Sequence, residues 1–503
     1  MNKNIKQKVI FTSRLIIRFL EKGHRLGNIS NFSNGTLQPL FYPTSIALAG
    51  VTVNNPQHWT RTFFDALLEF QFEGPLYLVN PRGGEIRGIK VYRRLADIPQ
   101  NIDYVISTVP AKAAAGLIEE CAHKGVKAVH FCTAGFSETG QEEGVRLEAQ
   151  LANLSIKTGI RVIGPNCMGI YCPESRISFN IDFPKERGPV GFISQSGGNT
   201  GGLIRQVMSR GVRFSKVVSY GNACDLNETD FLEYLATDSE TKIIGLYIEG
   251  VKDGRSFRQT LQKAAEEKVI VLLKGGITEG GARAVSGHTG ALAGSEVIWD
   301  SLCKQLGIIQ VYSLEELADS LVTLRFMSAP RGRRVALIGA GGGSSVLIAD
   351  EFERRGLKVP PLPQEIRNWI GEFTPLAGNI LRNPIDYSQN WMEHEKLLRT
   401  VHIISQWEGI DFLIWFLDIS WVPLNAMNVL HEILDGILTE SRAASKPLAI
   451  VLQTNISPEQ VKKAYSIVEK CVSSELPIYY SFASAANAIN LLLSHNERRL
   501  GKP

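Results

Sequence analysis

The chain has 503 residues, of which 54 are Lys or Arg and 50 are Asp or Glu. A hydrophobic content of 44% and a charged content of 21% are ordinary for a globular protein. They exclude a disordered chain, a collagen-like chain and a polytopic membrane protein. At about 150 residues per domain, this length predicts roughly three domains.

The small basic excess is concentrated at the start of the chain. Residues 1–40 contain seven basic side chains and one acidic side chain, and residues 41–503 contain 47 basic and 49 acidic ones. The body is therefore near neutral, and its charge does not indicate nucleic acid as a partner. We interpret residues 1–39 as a basic N-terminal extension, either a tail or a misassigned start. A transit peptide or a helix lying on a membrane surface is the alternative.

The cysteines indicate the redox state of the compartment in which the protein resides. The seven are scattered, with no CxxC pair and no histidine at metal-ligand spacing. Such a set predicts free thiols in a reducing, cytoplasmic compartment and no metal site. The longest apolar stretch, residues 412–424, contains Asp418 and is too short to span a bilayer, so no membrane association is expected.

Short apolar runs alternate with helical patterns from Ser45 onward, in three series separated by breakers at 184–189 and 328–334. This alternation predicts parallel sheets covered by helices on both faces, in three doubly wound α/β domains that are Rossmann-like or flavodoxin-like. The candidate strands are SIALAG (45–50), LYLVN (76–80), YVISTV (104–109), AVHFCT (128–133), RVIG (161–164), VGFIS (190–194), FSKVVSY (214–220), IIGLYIE (243–249), VIVLLK (269–274), VALIGA (335–340), FLIWFL (412–417), LAIVLQ and PIYYSF (477–482).

The loop after the first candidate strand reads GVTVNNPQHW (50–59). A strand-to-helix turn with a glycine, a small hydroxyl residue and a proline can offer backbone N–H groups and a helix dipole to a phosphate. The loop is not GxGxxG, so a nucleotide ligand and a plain connection stay equally open.

A second loop, GFISQSGGNTGG (191–202), follows a strand and opens a helix. Ser194, Ser196, Gly197 and Gly198 place hydroxyls and unhindered N–H groups at the helix N-terminus, where the dipole favours an anion. The alternative is a serine cap with glycines for close packing. Two Gly-Gly pairs exceed what a cap requires, so we favour a phosphate cradle.

The segment SGHTGALAGS (286–295) contains His288 among small residues, after the glycine-rich stretch KGGITEGGARA (274–284). Core histidines sit among apolar neighbours, so these flanks favour an exposed, mobile loop and a nucleophilic imidazole. A phosphorylated histidine needs an anion cradle, which the Ser196 helix could supply. The imidazole also needs a carboxylate on its other nitrogen. Glu249, at the end of a candidate strand, could supply it or could simply hydrogen-bond its own loop.

Two further turns carry weaker signals. In GPNCMG (164–169), Asn166 could bind a ligand or hold the turn, and Cys167 lacks the neighbours of a catalytic cysteine. The turn GAGGGSS (339–345) could bind a phosphate or only allow close packing.

Taken together, these motifs resemble the acyl-CoA synthetase (NDP-forming) superfamily, which includes succinyl-CoA synthetase and ADP-forming acetate–CoA ligase. The resemblance extends from about Leu40 to Leu493 and has the domain content of the α subunit. It implies a CoA-binding Rossmann-like domain (40–183), a flavodoxin-like domain with the phosphohistidine loop (184–327) and a second flavodoxin-like ligase domain (333–493). The motifs that carry it are PTSIALAG, LVNPRGGEIRG, AGFSETG, GPNCMG, ISQSGG, SYGNACDLNETDFLEYLATD, YIEGVKDGRSF, SGHTGALAGS, AGGGSSVLIAD and NPID.

The resemblance implies a ligase that interconverts acyl-CoA, ADP and phosphate with a carboxylic acid, ATP and CoA. His288 matches the family's phosphohistidine, Glu249 the glutamate that steadies it, and Ser196 with Gly197 the cradle. An ATP-grasp β-type partner would bind the nucleotide and Mg²⁺ in a hetero-oligomer. The residues that fall where the family meets CoA or the acyl group are Gly50, Thr52, Asn80, Arg82, Pro110, Gly135 and Asn166.

Departures from the family pattern keep alternatives open. Val51 and Thr52 replace the usual Ala-Ser, and Trp59 or Thr60 stands where a helix-entry glycine is expected. The altered loop motivates a second hypothesis, a non-catalytic CoA-binding regulatory protein. A third, an NAD-dependent oxidoreductase, is disfavoured because GxGxxG is absent. The acid, the direction of reaction, the choice between ADP and GDP and the oligomer cannot be read from the sequence.

Overall fold

The computed structural model describes residues 37–288, 295–339, 341–374, 380–387, 393–423, 426–454, 457–499 and 501. Within these ranges it contains three sheets, each dominated by parallel strands and flanked by helices. The predicted fold class, doubly wound α/β, is confirmed. The helices are Gln38–Phe41, Thr62–Glu69, Ala114–Lys124, Glu142–Thr158, Gly197–Met208, Glu228–Thr237, Gly254–Glu267, Glu279–His288, Glu296–Leu306, Leu314–Phe326, Gly342–Arg354, Gln364–Gly371, His394–Gln406, Met427–Ala443, Pro458–Ser473 and Phe482–Arg499.

The first sheet has the order β3-β4-β2-β1-β5-β6-β7, and only β3 is antiparallel to its neighbour. Without that edge strand, the order is 3-2-1-4-5-6, the Rossmann order, with its switch point between β1 and β5. The central strands are buried on both faces, which explains their continuous apolar runs. The strands are β1 (Ile46–Ala49), β2 (Leu76–Val79), β3 (Gly84–Ile86), β4 (Ile89–Tyr92), β5 (Tyr104–Ser107), β6 (Ala128–Phe131) and β7 (Arg161–Ile163).

The second sheet has the order β13-β12-β11-β9-β10-β8. Its five parallel strands follow the flavodoxin order 2-1-3-4-5, so the switch point lies between β9 and β11. The sixth strand, β8, is antiparallel to β10, although residues 40–183 were assigned to the first domain. The strands are β8 (Gly169–Tyr171), β9 (Val190–Ser194), β10 (Phe214–Ser219), β11 (Ile243–Ile248), β12 (Val269–Lys274) and β13 (Ile309–Val311).

The third sheet has the order β15-β16-β14-β17-β18-β19, which repeats the flavodoxin pattern with an antiparallel edge strand, β15. Its core is a large cluster of Ile, Leu and Val side chains under the helices on both faces. The strands are β14 (Val335–Ile338), β15 (Ile380–Leu381), β16 (Ile385–Asp386), β17 (Phe412–Asp418), β18 (Leu448–Gln453) and β19 (Ile478–Tyr479).

The sequence patterns did not predict six of these strands. All six contain two to four residues, and β3, β8 and β15 are antiparallel edge strands. A run this short shows no readable period, because pairing with a neighbour that is distant in the chain decides its conformation. The six are β3, β4, β8, β13, β15 and β16.

Helix Leu314–Phe326 joins the second and third sheets. It packs against helices Gly197–Met208 and Phe482–Arg499, and all residues from Leu317 to Thr323 are buried. Arg210, 4% exposed, forms an ion pair of 2.5 Å with Asp319 and donates to the carbonyl of Ile478 at 3.5 Å. The pair therefore connects both sheets through a charge withdrawn from water.

No helix among the described residues is long and apolar enough to cross a membrane.

Removing the Asp319 carboxylate is expected to destabilise the protein. Asp319→Ala leaves the buried guanidinium of Arg210 unpaired, at a cost of about 3 to 5 kcal/mol in the free energy of unfolding. Urea denaturation measures the change. The control is Asp350→Ala, which removes an exposed ion pair of 3.8 Å to Arg354 and should cost no more than about 0.5 kcal/mol. Equal effects of the two substitutions would contradict the role of the buried pair.

Candidate functional site

The candidate site lies at the carboxyl ends of β9 and β11, the switch point of the second sheet. In open α/β sheets the helices that follow two such strands run to opposite faces, and a crevice opens between them. Ser194 ends β9 and pairs in register with Tyr247 of β11. Glu249 follows β11 directly, so the predicted cradle and the predicted carboxylate meet at one edge of the sheet.

The predicted cradle is the N-terminus of helix Gly197–Met208, here called the Gly197 helix. Ser196 caps it, because its Oγ accepts the N–H of Asn199 at 3.3 Å. The Oγ of Ser194 donates to the carbonyl of Ser196 at 2.9 Å and fixes the turn. The N–H groups of Gly197 and Gly198 are the first of the helix, and no carbonyl of their own helix can bind them.

The glycine at 197 also meets a packing demand. A Cβ atom there would lie 2.7 Å from Cγ of Met168, which belongs to the turn GPNCMG. Ser196 therefore caps the helix, and Gly197 allows it to pack closely against the turn. They leave the two glycine N–H groups at the carboxyl edge of the sheet, in the position where helix N-termini bind anions.

Glu249 is 3% exposed and is held at several points. Its N–H donates to Oε1 of Gln195 at 2.7 Å, and the N–H of Gly250 donates to the same oxygen at 3.1 Å. Its Oε1 accepts the hydroxyl of Tyr247 at 3.0 Å. Glu249 is thus held both at its backbone N–H and at its carboxylate oxygen.

Lys274, at the end of β12, supports the same residue from the other side. Its Nζ donates to the carbonyl of Glu249 at 2.8 Å and to the carbonyl of Gly275, and it lies 5.6 Å from the ring centroid of Trp299. Burial lowers the pKa of Lys274. A Cβ on Gly275 would lie 2.8 Å from the Tyr247 hydroxyl, so a glycine is required beside this group.

His288 is the last residue of helix Glu279–His288, although the glycine-rich sequence predicts a loop here. The helix forms despite three glycines because Thr278 begins it: its Oγ1 accepts the N–H of Gly281 at 3.1 Å. Val285, one turn before His288, packs on Gly276. The side chain of His288 and residues 289–294 of the predicted mobile loop lie outside the described residues.

Helix Glu279–His288 packs against the turn Ser137–Thr139 of the AGFSETG motif. This contact brings the first sheet's loops to the second sheet's switch point. The N–H of Gly135 donates to Oε1 of Glu138 at 2.5 Å, so the turn accommodates a carboxylate.

An amide at the end of β10 ties this turn to the GPNCMG motif. Nδ2 of Asn222 donates to Glu138 at 2.6 Å and to Glu148 at 2.8 Å, and its oxygen accepts Nδ2 of Asn166 at 3.3 Å. Asn166 has φ of +58°. Of the predicted residues, Gly135 and Asn166 therefore lie within one hydrogen-bonded cluster beside the helix of His288.

The remaining predicted residues surround the switch point of the first sheet. Gly50 has φ of +93°, and a Cβ there would lie 2.8 Å from the N of Val109. Asn80 donates to the carbonyl of Val51 at 2.9 Å. Pro110 is exposed at the end of β5, across the switch point from Gly50. Only glycine allows the first loop to pass this close to the neighbouring strand end.

A buried arginine holds the backbone of the first loop, residues 50–59. Arg61, 6% exposed, donates through Nε to the carbonyl of Thr52 at 2.8 Å and through Nη2 to that of Val53 at 3.1 Å. The N–H of Thr52 donates to Oγ1 of Thr60 at 3.2 Å. Thr60 therefore binds the loop from the position where the sequence pattern leads one to expect glycine.

A basic cavity adjoins this loop at the carboxyl end of β2. Arg82, one of the predicted contacts, lines it together with Lys90 and Arg93, and Asp97 is the one acidic residue of the lining. Three cations around one cavity favour an anionic ligand group.

The glycine-rich turn after β14 favours packing over phosphate binding. A Cβ on Gly339 would lie 2.4 Å from the carbonyl oxygen of Phe416, and one on Gly342 would lie 3.7 Å from Oδ2 of Asp386. A carboxylate already stands near the start of helix Gly342–Arg354. Among the described residues, no group of three or more His, Cys, Asp or Glu side chains is arranged to hold a metal ion.

Five residues of the site were missed from the sequence: Gln195, Tyr247, Lys274, Asn222 and Arg61. The spacing Tyr-x-Glu offered one signal, because residues two apart on a strand share a face. Gln195, Lys274 and Asn222 bond to residues far away in the chain, and Arg61 bonds to backbone carbonyls, so no residue pattern in the sequence indicates these contacts.

Two family models match the chain. The model of a CoA-binding domain matches residues 44–173, and that of a succinyl-CoA ligase-like flavodoxin domain matches residues 187–324. The first range contains β1 to β8 and the second contains β9 to β13, and together they contain every predicted site residue.

Curated relatives and a solved structure agree with these models. The α subunit of ADP-forming acetate–CoA ligase II of Pyrococcus furiosus is 36% identical over 85% of this chain and 92% of its own length. The ADP-forming acetate–CoA ligase I of Archaeoglobus fulgidus is 36% identical over 76% of this chain, which spans only 55% of that protein. The dinucleotide-forming acetyl-coenzyme A synthetase 1 of Candidatus Korarchaeum cryptofilum, solved with phosphate and ADP, has a TM-score of 0.77 and 29% identity, over 92% of this chain and 97% of its own.

Cys167 is expected to be unreactive in the native protein. It is 4% exposed, its thiol donates to the carbonyl of Phe131 at 3.7 Å, and burial raises its pKa. Iodoacetamide at pH 8 should therefore leave Cys167 unmodified, as peptide mass spectrometry would show. The same reagent should modify it in guanidinium-denatured protein. Rapid modification of Cys167 in the native protein would contradict this assignment and reopen a nucleophilic role.

Proposed function

The chain belongs to the family of ADP-forming acyl-CoA ligases, and from that premise we propose that it is the α-type subunit of a two-subunit enzyme. It spans nearly the whole of the Pyrococcus α subunit but about half of the longer relative from Archaeoglobus. The partner in this proposal is an ATP-grasp β-type subunit, which binds ADP or ATP with Mg²⁺. The hetero-oligomer acts in the cytoplasm on a small carboxylic acid such as acetate.

Three features of the second sheet support the proposal. The Gly197 helix directs its first N–H groups to the carboxyl edge of the second sheet, Glu249 is buried beside it, and the helix that ends at His288 starts from the neighbouring strand, β12. An anion site, a carboxylate and an imidazole are the groups that phosphoryl transfer through histidine requires.

The proposed reaction proceeds in three transfers. A phosphate oxygen attacks the carbonyl carbon of the acyl-CoA, the carbon–sulfur bond breaks, and CoA leaves as an acyl phosphate forms. A ring nitrogen of His288 then attacks the phosphorus, and the carboxylic acid leaves with the bridging oxygen. Finally, the terminal phosphate oxygen of ADP on the partner attacks the phosphorus, which yields ATP and restores the imidazole.

The groups of this chain have separate tasks in that sequence. Glu249 accepts the N–H of the second ring nitrogen, which fixes the tautomer and stabilises the positive ring of phosphohistidine. Ser194 and Ser196 shape the turn, so that the N–H groups of Gly197 and Gly198 receive the phosphoryl oxygens. Because these dipoles are already oriented, they stabilise the transferring charge without reorganising.

CoA is assigned to the first sheet. The loop of Gly50 and Thr52 lies at the switch point of the first sheet, where ligands of doubly wound sheets bind, so in this proposal it receives the pyrophosphate. Asn80 and Arg82 then contact the adenosine end, beside the basic cavity. Pro110, Gly135 and Asn166 lead the thiol end towards the helix of His288. Bound here, CoA would supply the thiol group. It leaves the acyl carbon when ATP is formed, and it attacks that carbon in the reverse direction.

Phosphate transfer from acetyl-CoA and labelled inorganic phosphate tests the proposal. The wild-type protein should incorporate label that is acid-labile and base-stable, with the label on His288 in peptide mapping. His288→Asn should incorporate none. His123→Asn, which replaces an exposed histidine of helix Ala114–Lys124, should label like the wild type. Equal labelling of wild type and His288→Asn would rule the mechanism out.

One observation favours a second candidate, a CoA-binding regulatory protein without catalysis. The N–H of Thr52, which a pyrophosphate could use, is bound to Thr60. CoA binding without any label on His288 would support this candidate, and ATP formation with the partner would exclude it.

The buried Arg61 is expected to determine CoA affinity. Arg61→Met removes two charge-assisted hydrogen bonds that hold the carbonyls of Thr52 and Val53, so the loop loses its shape. We expect a loss of about tenfold or more in affinity, or roughly 1.4 kcal/mol, by calorimetric titration with CoA. Arg87→Met is the control, because Arg87 contacts Asp65 at 3.1 Å and the Phe64 ring at 6.0 Å but not the carbonyls of the loop, and it should bind like the wild type. An unchanged affinity of Arg61→Met would contradict the role.

A further inference from the structure

We propose that Tyr247 is a positioning residue, which orients the carboxylate of Glu249 and links it to the phosphate cradle. The inference rests on the proposed function, because it concerns how Glu249 is presented to His288. Tyr247 is not part of the site that the sequence predicted.

The strand β11 places Tyr247 beside Glu249. Residues 247 and 249 are two apart at the end of β11, so both side chains project from the same face. The hydroxyl of Tyr247 donates to Oε1 of Glu249 at 3.0 Å. Burial, and next the charge of Glu249, raise the pKa of Tyr247, so the phenol stays protonated and remains a donor.

Two further hydrogen bonds of Glu249 act on its main chain. Gln195 holds the backbone N–H of Glu249 at 2.7 Å, and Lys274 holds its carbonyl at 2.8 Å. Both bonds fix the main chain, and neither touches the carboxylate. The orientation of the carboxylate depends on side-chain torsions, and the terminal torsion of glutamate is broad. The Tyr247 hydroxyl restricts it directly.

Tyr247 also contacts the cradle. Tyr247 pairs in register with Ser194, and its carbonyl accepts the N–H of Gln195 at 3.1 Å, in the turn that Ser196 caps. These backbone bonds connect the strand of Tyr247 and Glu249 directly to the turn that begins the Gly197 helix. They keep the Tyr247–Glu249 pair in a constant position relative to the anion site while the phosphoryl group passes between acyl phosphate and histidine.

The space beside the pair is limited by Gly275. A Cβ there would lie 2.8 Å from the Tyr247 hydroxyl and 3.4 Å from Cγ of Glu249. This gives a second way to disturb the pair without removing the ring or the hydroxyl.

The test is the rate of labelling of His288 from acetyl-CoA and labelled phosphate in single turnovers. Tyr247→Phe should lower the maximal rate roughly 10- to 100-fold, the scale expected when a catalytic group is misplaced by about 1 Å. The concentration of acetyl-CoA at half-maximal rate should not change, because Tyr247 is not among the groups assigned to CoA. Gly275→Ala should reproduce the loss of rate, and it tests the pair should Tyr247→Phe fold poorly.

Tyr171→Phe is the matched control. Tyr171 is a buried tyrosine of β8 in the same sheet, and its hydroxyl donates to the carbonyl of Pro184 at 2.5 Å. The substitution removes the same atom at a similar cost in stability but away from Glu249, so labelling should proceed at the wild-type rate.

A double-mutant cycle separates positioning from a general structural effect. If Tyr247 acts through the carboxylate, Tyr247→Phe should slow labelling little further in a Glu249→Gln background. A wild-type rate for Tyr247→Phe, or the same fold loss in both backgrounds, would overturn the inference while leaving the proposed function intact. Absence of label on His288 in the wild type would overturn both.

Discussion

The whole arrangement depends on one constraint of parallel sheets: all strand carboxyl ends meet at one edge. Where the strand order reverses, the helices leave that edge on opposite sides and open a crevice. In the second sheet this places the N-terminus of the Gly197 helix and Glu249 on adjacent strands, β9 and β11, and starts the helix of His288 from the next strand. The first sheet repeats the geometry at Gly50. Backbone pairing therefore determines which side chains meet, before any of them acts.

Glycines then determine how closely these elements approach. Gly197 lets the cradle pack on Met168, Gly275 leaves room for Tyr247, and Gly50 lets the first loop pass a neighbouring strand. At each position an added Cβ would approach another atom to within 2.8 Å. The glycine-rich character of the motifs therefore has two causes, close packing and exposed N–H groups. At Gly339 of the third sheet, where a Cβ would lie 2.4 Å from the carbonyl oxygen of Phe416, close packing alone explains the glycine.

Much of the fold was predictable from local pattern, and the site only in part. The runs at 190–194 and 269–274 coincide with β9 and β12, because central strands are apolar throughout. The helix ending at His288 was missed, since its glycines outweighed the capping signal of Thr278. Ser196 and Glu249 could be selected because they follow strands. Gln195 and Lys274 could not, because each bonds to a residue far away in the chain, and only the folded sheet brings them together.

Individual buried charges, and not the net charge of the chain, lie beside the two candidate binding regions. The body is close to neutral, while Lys274 and Arg61 are buried cations bound to carbonyl oxygens beside the two switch points.

In the proposed mechanism, the Gly197 helix and Glu249 form one phosphoryl site. A crystal structure of the chain grown with inorganic phosphate would show where the anion binds. We predict phosphate on the N–H groups of Gly197 and Gly198, with the imidazole of His288 on Glu249. Phosphate bound only elsewhere, with the imidazole turned away from Glu249, would contradict the account.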